Sequence, residues 1–293
     1  MNRKQDRKNE KIGALKRGLE SIKVEEIAGN LYIKRGRGTC QYYHRVRLEG
    51  KIQRHYISVH GMDLARHLAQ QTYNRSVERL ISTLEKEDFD GDEIDRLVDD
   101  QFLALSPERR SLIRPVQKPL FQKLVDWKKR TYQGLPFKPE DPLILTYQGK
   151  RVRSKTEKIL CDRFDQTGIT YKYECPLVLK DGVIFYPDFT FFNPYTEEEI
   201  YWEHHGLMGD EDYTMRTIEK IRTYEKNGIR LGQRLLVTFE GGKLNMDYDR
   251  VKDLIRDFLL PLVPPGARSK QKKGPPKGVP LAVLSRGPEG GRH

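Results

Sequence analysis

VIFYPDFTFFNPYTEEEIYWEHHG, residues 183–206, sets two apolar and aromatic runs on either side of an Asn193-Pro194 turn, and each run carries one carboxylate among its hydrophobic residues. Aromatic and β-branched residues bounded by turn formers read as strands. Asp188 follows Pro187 in the first run, and Glu203 stands between Trp202 and His204 in the second. An ionised carboxylate in such company carries a large desolvation cost unless a partner compensates it.

Upstream, ITYKYECPLVL and the turn Lys180-Asp181-Gly182 supply the other half of a hairpin. Before it, Ser154 caps a helix running to about Gln166, with Gly168 at the usual C-terminal stop. Helical spacing puts Glu157, Leu160, Cys161 and Phe164 on one face. Two readings of Glu157 stay open: it completes a capping box with Ser154, or it joins the other two carboxylates. Downstream, an amphipathic helix spans about Asp212 to Lys226 and stops at Asn227-Gly228, and RLLVTFE follows as a buried strand. The order is helix, three strands, helix, strand.

Acidic groups on adjacent strands, with a third on the preceding helix, repel one another unless a cation lies between them. Mg²⁺ or Mn²⁺ suits such oxygen donors and leaves positions for water and phosphate oxygens, as phosphodiester hydrolysis requires.

Glu157 in SKTEKIL, Asp188 in YPDFT and Glu203 in YWEHHG, in this element order, resemble the PD-(D/E)xK superfamily of restriction-endonuclease-like nucleases and Holliday-junction resolvases, over residues 153–240. The resemblance implies a restriction-endonuclease-like core and metal-dependent cleavage of DNA, which is favoured over RNA as substrate. It makes Asp188 and Glu203 metal ligands, with Glu157 completing the acidic cluster. His205 stands where the superfamily has a lysine, two residues after the second acid. Lys220 in RTIEKIRTYEK is the first candidate to replace it and His205 the second, either one orienting water or stabilising phosphate charge. Tyr213, Arg216 and Tyr224, on or near the same helix, are candidate nucleic-acid contacts, with a periodicity that fits packing equally well. Many nucleases of this superfamily pair to cut two strands, so the resemblance accommodates a homodimer. The competing reading is a silent nucleic-acid-binding protein that keeps the fold without catalysis.

Composition agrees with a polyanionic partner. The 293-residue chain has a formal charge of +12, and 33% of its residues are charged. Cys40, Cys161 and Cys175 are odd in number and lack metal-site spacing, which points to a reducing cytoplasm. No apolar run approaches the length of a membrane span, so a membrane partner is not expected.

The N-terminal half reads as a small β-sheet with helices, giving a mixed α+β and α/β chain overall. Residues 1–23 read as a basic flexible arm. From Leu31 to Val59, LYIKRG, QYYHRVRL and IQRHYISV are three antiparallel strands separated by glycine turns. A helix from Met62 to about Glu85 and a helical connector through Pro119 follow. Pro136, Pro139 and Pro142 mark a boundary that divides a 24–142 module from a 143–263 nuclease-like domain, and 264–293 reads as a disordered basic tail. Lys34, Arg35, Arg37, Arg45, Arg47, Lys51 and Arg54 give the small sheet a basic character, with Tyr42, Tyr43 and Tyr56 either packing beneath it or stacking on bases. This text loosely resembles the arm-binding domains of tyrosine recombinases, which implies DNA contact by this half. Arg35, Arg37, Arg45 and Arg47 are its candidate contacts.

Overall fold

The computed structural model describes residues 3–241 and 246–264, and within them the chain is a mixed α/β protein with small sheets and eight α-helices. In chain order these are α1 (Arg3–Ser21), β1 (Asn30–Arg35), β2 (Cys40–Leu48), β3 (Lys51–Ile57), α2 (Met62–Lys86), α3 (Gly91–Leu103), α4 (Pro107–Arg110), α5 (Leu120–Lys129), β4 (Ile144–Leu145), β5 (Arg151–Val152), α6 (Lys155–Thr167), β6 (Tyr171–Tyr173), β7 (Leu177–Val178), β8 (Ile184–Phe185), β9 (Phe189–Asn193), β10 (Glu198–His205), α7 (Glu211–Lys226), β11 (Leu235–Phe239) and α8 (Tyr248–Leu254).

The N-terminal core lies between the β1-β2-β3 sheet and α1, α2 and α3. Leu68, Val77, Ile81 and Leu84 of α2 meet Leu31 and Ile57 of the sheet, while Ile94 and Val98 come from α3. α3 begins at a complete capping box, with the Asp90 side chain accepting from the Glu93 backbone N–H and Glu93 returning the bond.

The flexible arm expected over residues 1–23 is instead the packed helix α1. Ile12, Leu15, Leu19 and Ile22 recur at helical spacing and join this core. Its cations are matched by acids just before and within α3: Lys4 pairs with Asp88, Arg7 with Asp92 and Lys11 with Asp95, while Lys16 pairs with Glu85 at the end of α2. The expected tail from 265 onward lies outside the described residues.

The C-terminal sheet has the order β11-β10-β9-β6, with β10 and β11 parallel and the other pairs antiparallel. One face carries Phe189, Phe191 and Trp202 against α6 and α8. There the Phe164 ring contacts Tyr171, Phe189, Phe191 and Trp202 at centroid distances of 5.1–5.6 Å. The other face is covered by α7, through Tyr201 and Tyr224, and by α5, whose Trp127 stacks on Phe192 and donates to Glu199 Oε1 at 2.7 Å.

That packing corrects the boundary expected at residue 142. α5 belongs to the C-terminal sheet because its apolar stripe, Leu120, Leu124 and Trp127, closes that face. Its C-terminal end and the segment after it also shield the outer strand. Lys128 Nζ donates to the Tyr171 carbonyl, and the Tyr132 hydroxyl donates to the Tyr173 carbonyl while accepting from its N–H. The expected long hairpin of two strands is shorter than read. Pro176 and Pro187 withhold ladder donors, so β7 and β8 split off as a separate ribbon.

Candidate active site

The β9–β10 ladder ends at the pair Phe189–Trp202, and Asp188 and Glu203 are the next residue beyond it on each chain segment, close enough for the Glu203 charge to act on Asp188. Lys220 and Tyr224 of α7 reach Glu203, and the charges of both carboxylates act on Tyr213 and Tyr224, so the two acids lie on the α7 face at the C-terminal end of the parallel β10–β11 pair. Open α/β sheets commonly bind ligands beyond these strand ends.

Glu203 is 3% exposed. Lys220 Nζ lies 2.8 Å from its Oε2 and 2.7 Å from its Oε1, and the Tyr224 hydroxyl donates to Oε1 at 2.6 Å. Lys220 and Tyr224 are one turn apart on α7, so a single helical face delivers both. Burial and the Glu203 charge push the Tyr224 phenol well up, and it stays a donor.

Asp188 Oδ2 accepts the His204 backbone N–H at 2.6 Å. Burial, then the Glu203 charge and to a lesser degree that of Glu157, push its carboxyl well above the usual range, with the His204 N–H and then Lys220 drawing it back. Lys220 is paired with Glu203, and the Asp188 carboxyl beside that pair is the group held toward its protonated form.

The expected three-carboxylate cluster does not close. Glu157 Oε2 accepts from the Tyr173 hydroxyl at 2.6 Å and from the Arg153 backbone N–H at 2.9 Å, on the α6 side of the sheet. Its own N–H is capped by Ser154 Oγ at 3.0 Å. Among the described residues, no three His, Cys, Asp or Glu side chains are grouped so that they could hold a metal ion. The Asp188–Glu203 pair still fits Mg²⁺, which is usually held by one or two carboxylates plus waters and substrate phosphates.

His205, the second candidate for the missing lysine, turns elsewhere. Its ring stacks on Phe239 and approaches the Tyr213 hydroxyl and Thr217 Oγ1, each at 3.5 Å. Burial and then the Lys220 charge hold it down to about 4, so it is neutral near pH 7. An unfolded histidine titrates near 6.5, so the unfolded chain binds the extra proton between pH 6.5 and 4 and the fold loses stability as pH falls through that window. The loss approaches about 3 kcal/mol at the acid end. In thermal melts without divalent ions, the wild-type midpoint should fall more steeply over this range than that of His205→Phe. Parallel slopes would show that His205 is not buried in its neutral form.

Tyr213, a candidate contact, lies close enough for Asp188 and Glu203 to help burial raise its phenol, and Arg216 on the same turn is exposed. Tyr224, the third candidate contact on this helix, is fully buried and donates to Glu203 instead, a role that was legible in its place one turn beyond Lys220. Sequence reasoning missed His204 and Glu240, since they meet only through strand pairing: His204 Nδ1 is 3.0 Å from Thr238 Oγ1, and its Nε2 is 3.6 Å from Glu240 Oε2. Burial lowers His204, with Glu240 pulling it back.

On the N-terminal sheet, Arg35 is committed to Glu108 at 2.8 Å, whereas Arg37, Arg45 and Arg47 are exposed. No helix among the described residues is long and apolar enough to cross a membrane.

No family model matches this chain, and no solved structure matches it. A curated relative, an uncharacterized protein of Methanocaldococcus jannaschii, is 37% identical over 94 residues, or 31% of this chain. The match covers 8% of that protein, so the chain corresponds to a small part of its length.

Proposed function

We propose that this chain is a Mg²⁺- or Mn²⁺-dependent phosphodiesterase acting on DNA, built on a restriction-endonuclease-like core. The carrying observation is the neighbouring buried carboxylates Asp188 and Glu203 at the strand ends, with Lys220 on Glu203. Element order supports the reading: α6, then β6, β9 and β10, then α7 and β11.

Asp188 and Glu203 would hold the metal, which when bound supplies Lewis acidity toward a phosphate oxygen and lowers the pKa of a bound water. The protein's part is positioning. The His204 N–H fixes one oxygen of Asp188, and the Tyr224 hydroxyl fixes one oxygen of Glu203. Lys220 is part-exposed and flexible, so its ammonium can turn from Glu203 toward a phosphate when a cation shares the carboxylates. Free cysteines throughout the chain suit a cytoplasmic setting.

The test is cleavage of labelled duplex, nicked, branched and single-stranded substrates in Mg²⁺ or Mn²⁺. Wild type should cut at least one of them. Glu203→Gln should lose activity about a hundredfold or more, and Lys220→Met about tenfold to a hundredfold. No cutting of any substrate, with nucleic acid still bound, would replace this reading with the silent binding protein.

A further inference from the structure

The register of β1, β2 and β3 sorts their side chains onto two faces. Leu31, Ile33, Tyr42 and Ile57 face α2 and the N-terminal core. The opposite face carries Tyr32 and Lys34 from β1, Tyr43, Arg45 and Arg47 from β2, and Arg54 and Tyr56 from β3. Asn30, Gln41 and Ile52 complete it, and no carboxylate stands among these positions.

Three features of this face are unusual for a solvated sheet. Tyr32, Tyr43 and Tyr56 form a line of rings across all three strands, with centroids 6.1 Å and 5.6 Å apart, and Tyr56 is 60% exposed. Arg45 and Arg54 are paired directly across the strands, where like charges repel. Arg54 lies over the Tyr32 ring at 4.5 Å, so the cations are interleaved with the aromatics.

We infer that this face binds an unpaired nucleic-acid strand, with bases on Tyr43 and Tyr56 and phosphates on Arg45, Arg54, Arg47 and Lys34. The anion relieves the Arg45–Arg54 repulsion, and release of counterions drives binding. Tyrosine rings offer stacking faces, which only an unstacked base can use; a duplex presents base edges and keeps its base faces covered. The inference deepens the phosphodiesterase reading by naming the strand form the protein grips, but it stands apart from catalysis because binding needs no metal.

Fluorescence anisotropy of the full chain in EDTA, with a short labelled single strand and the same sequence as a blunt duplex, tests it. The single strand should bind more tightly. Joint Tyr43→Ala and Tyr56→Ala should weaken it about tenfold or more, while Tyr43→Phe with Tyr56→Phe retains it because the ring faces remain. Arg45→Ala with Arg54→Ala should flatten the slope of log affinity against log salt by about one. Tighter duplex binding, or single-strand affinity and slope unchanged in both the alanine and arginine variants, overturns the inference. Failure of cleavage alone leaves these readings untouched.

Discussion

Asp188→Asn is expected to lose cleavage about a hundredfold or more and, without divalent metal, to melt at a higher temperature than the wild type at neutral pH. Both results have one cause. The folded state holds the Asp188 carboxyl well above its ordinary value, through burial and then the charge of Glu203. For an acid with a raised folded pKa, the folded chain binds the extra proton, so stability falls as pH rises from about 4 through the folded value. Asparagine keeps the shape and the acceptor for the His204 N–H and cannot ionise. The gain in midpoint should shrink toward pH 4, where the wild-type group is protonated in both states. Mn²⁺ should raise the wild-type midpoint and not that of Asp188→Asn. An Asp188→Asn protein that melts below wild type at neutral pH would refute the charge strain at this position.

Phe164→Ala is expected to cost about 3–5 kcal/mol, most of what a domain of this size commands. The ring is fully buried, and four aromatic neighbours surround it. The cavity cannot collapse easily, because Phe189, Phe191 and Trp202 are fixed by the strand ladder. The chain has two tryptophans, Trp127 and Trp202, both packed in the C-terminal half, so urea unfolding followed by tryptophan emission reports this half selectively. Its midpoint should drop sharply. A change below about 1 kcal/mol would mean that Phe164 is not at the centre of that core.

Much of this was legible in the text. The alternation and turns around Asn193-Pro194 and Lys180-Asp181-Gly182 gave β9, β10 and the reversal between them, and Ser154 and Gly168 bracketed α6. Asp188 and Glu203 stood out because carboxylates are rare in apolar strands. What the text concealed depended on distant partners. α1 looks solvated because its cations are visible while the acidic residues that match them lie some way along the chain, near α3. α5 is short and flanked by prolines, and its reason for being helical, the Phe192 and Glu199 surface, is formed by β9 and β10. Glu157 could be placed on its helix face, but its commitment to Tyr173 depended on where β6 docks. His205 occupied the right spacing for a catalytic group, and only the packing of Phe239 beside it showed that it serves the interior.

The cover that Lys128 and Tyr132 give to β6 bears on how this chain can be divided. A fragment starting at residue 143, where the prolines invite a cut, would strip the outermost strand of its backbone partners and bare the Phe192 surface as well. A naked strand edge is a template for a neighbouring molecule, so that fragment would be prone to self-association. A fragment starting just before Pro119 keeps the strand capped, so the Pro115–Pro119 stretch ahead of α5 is the better place to divide the chain than the prolines that follow it.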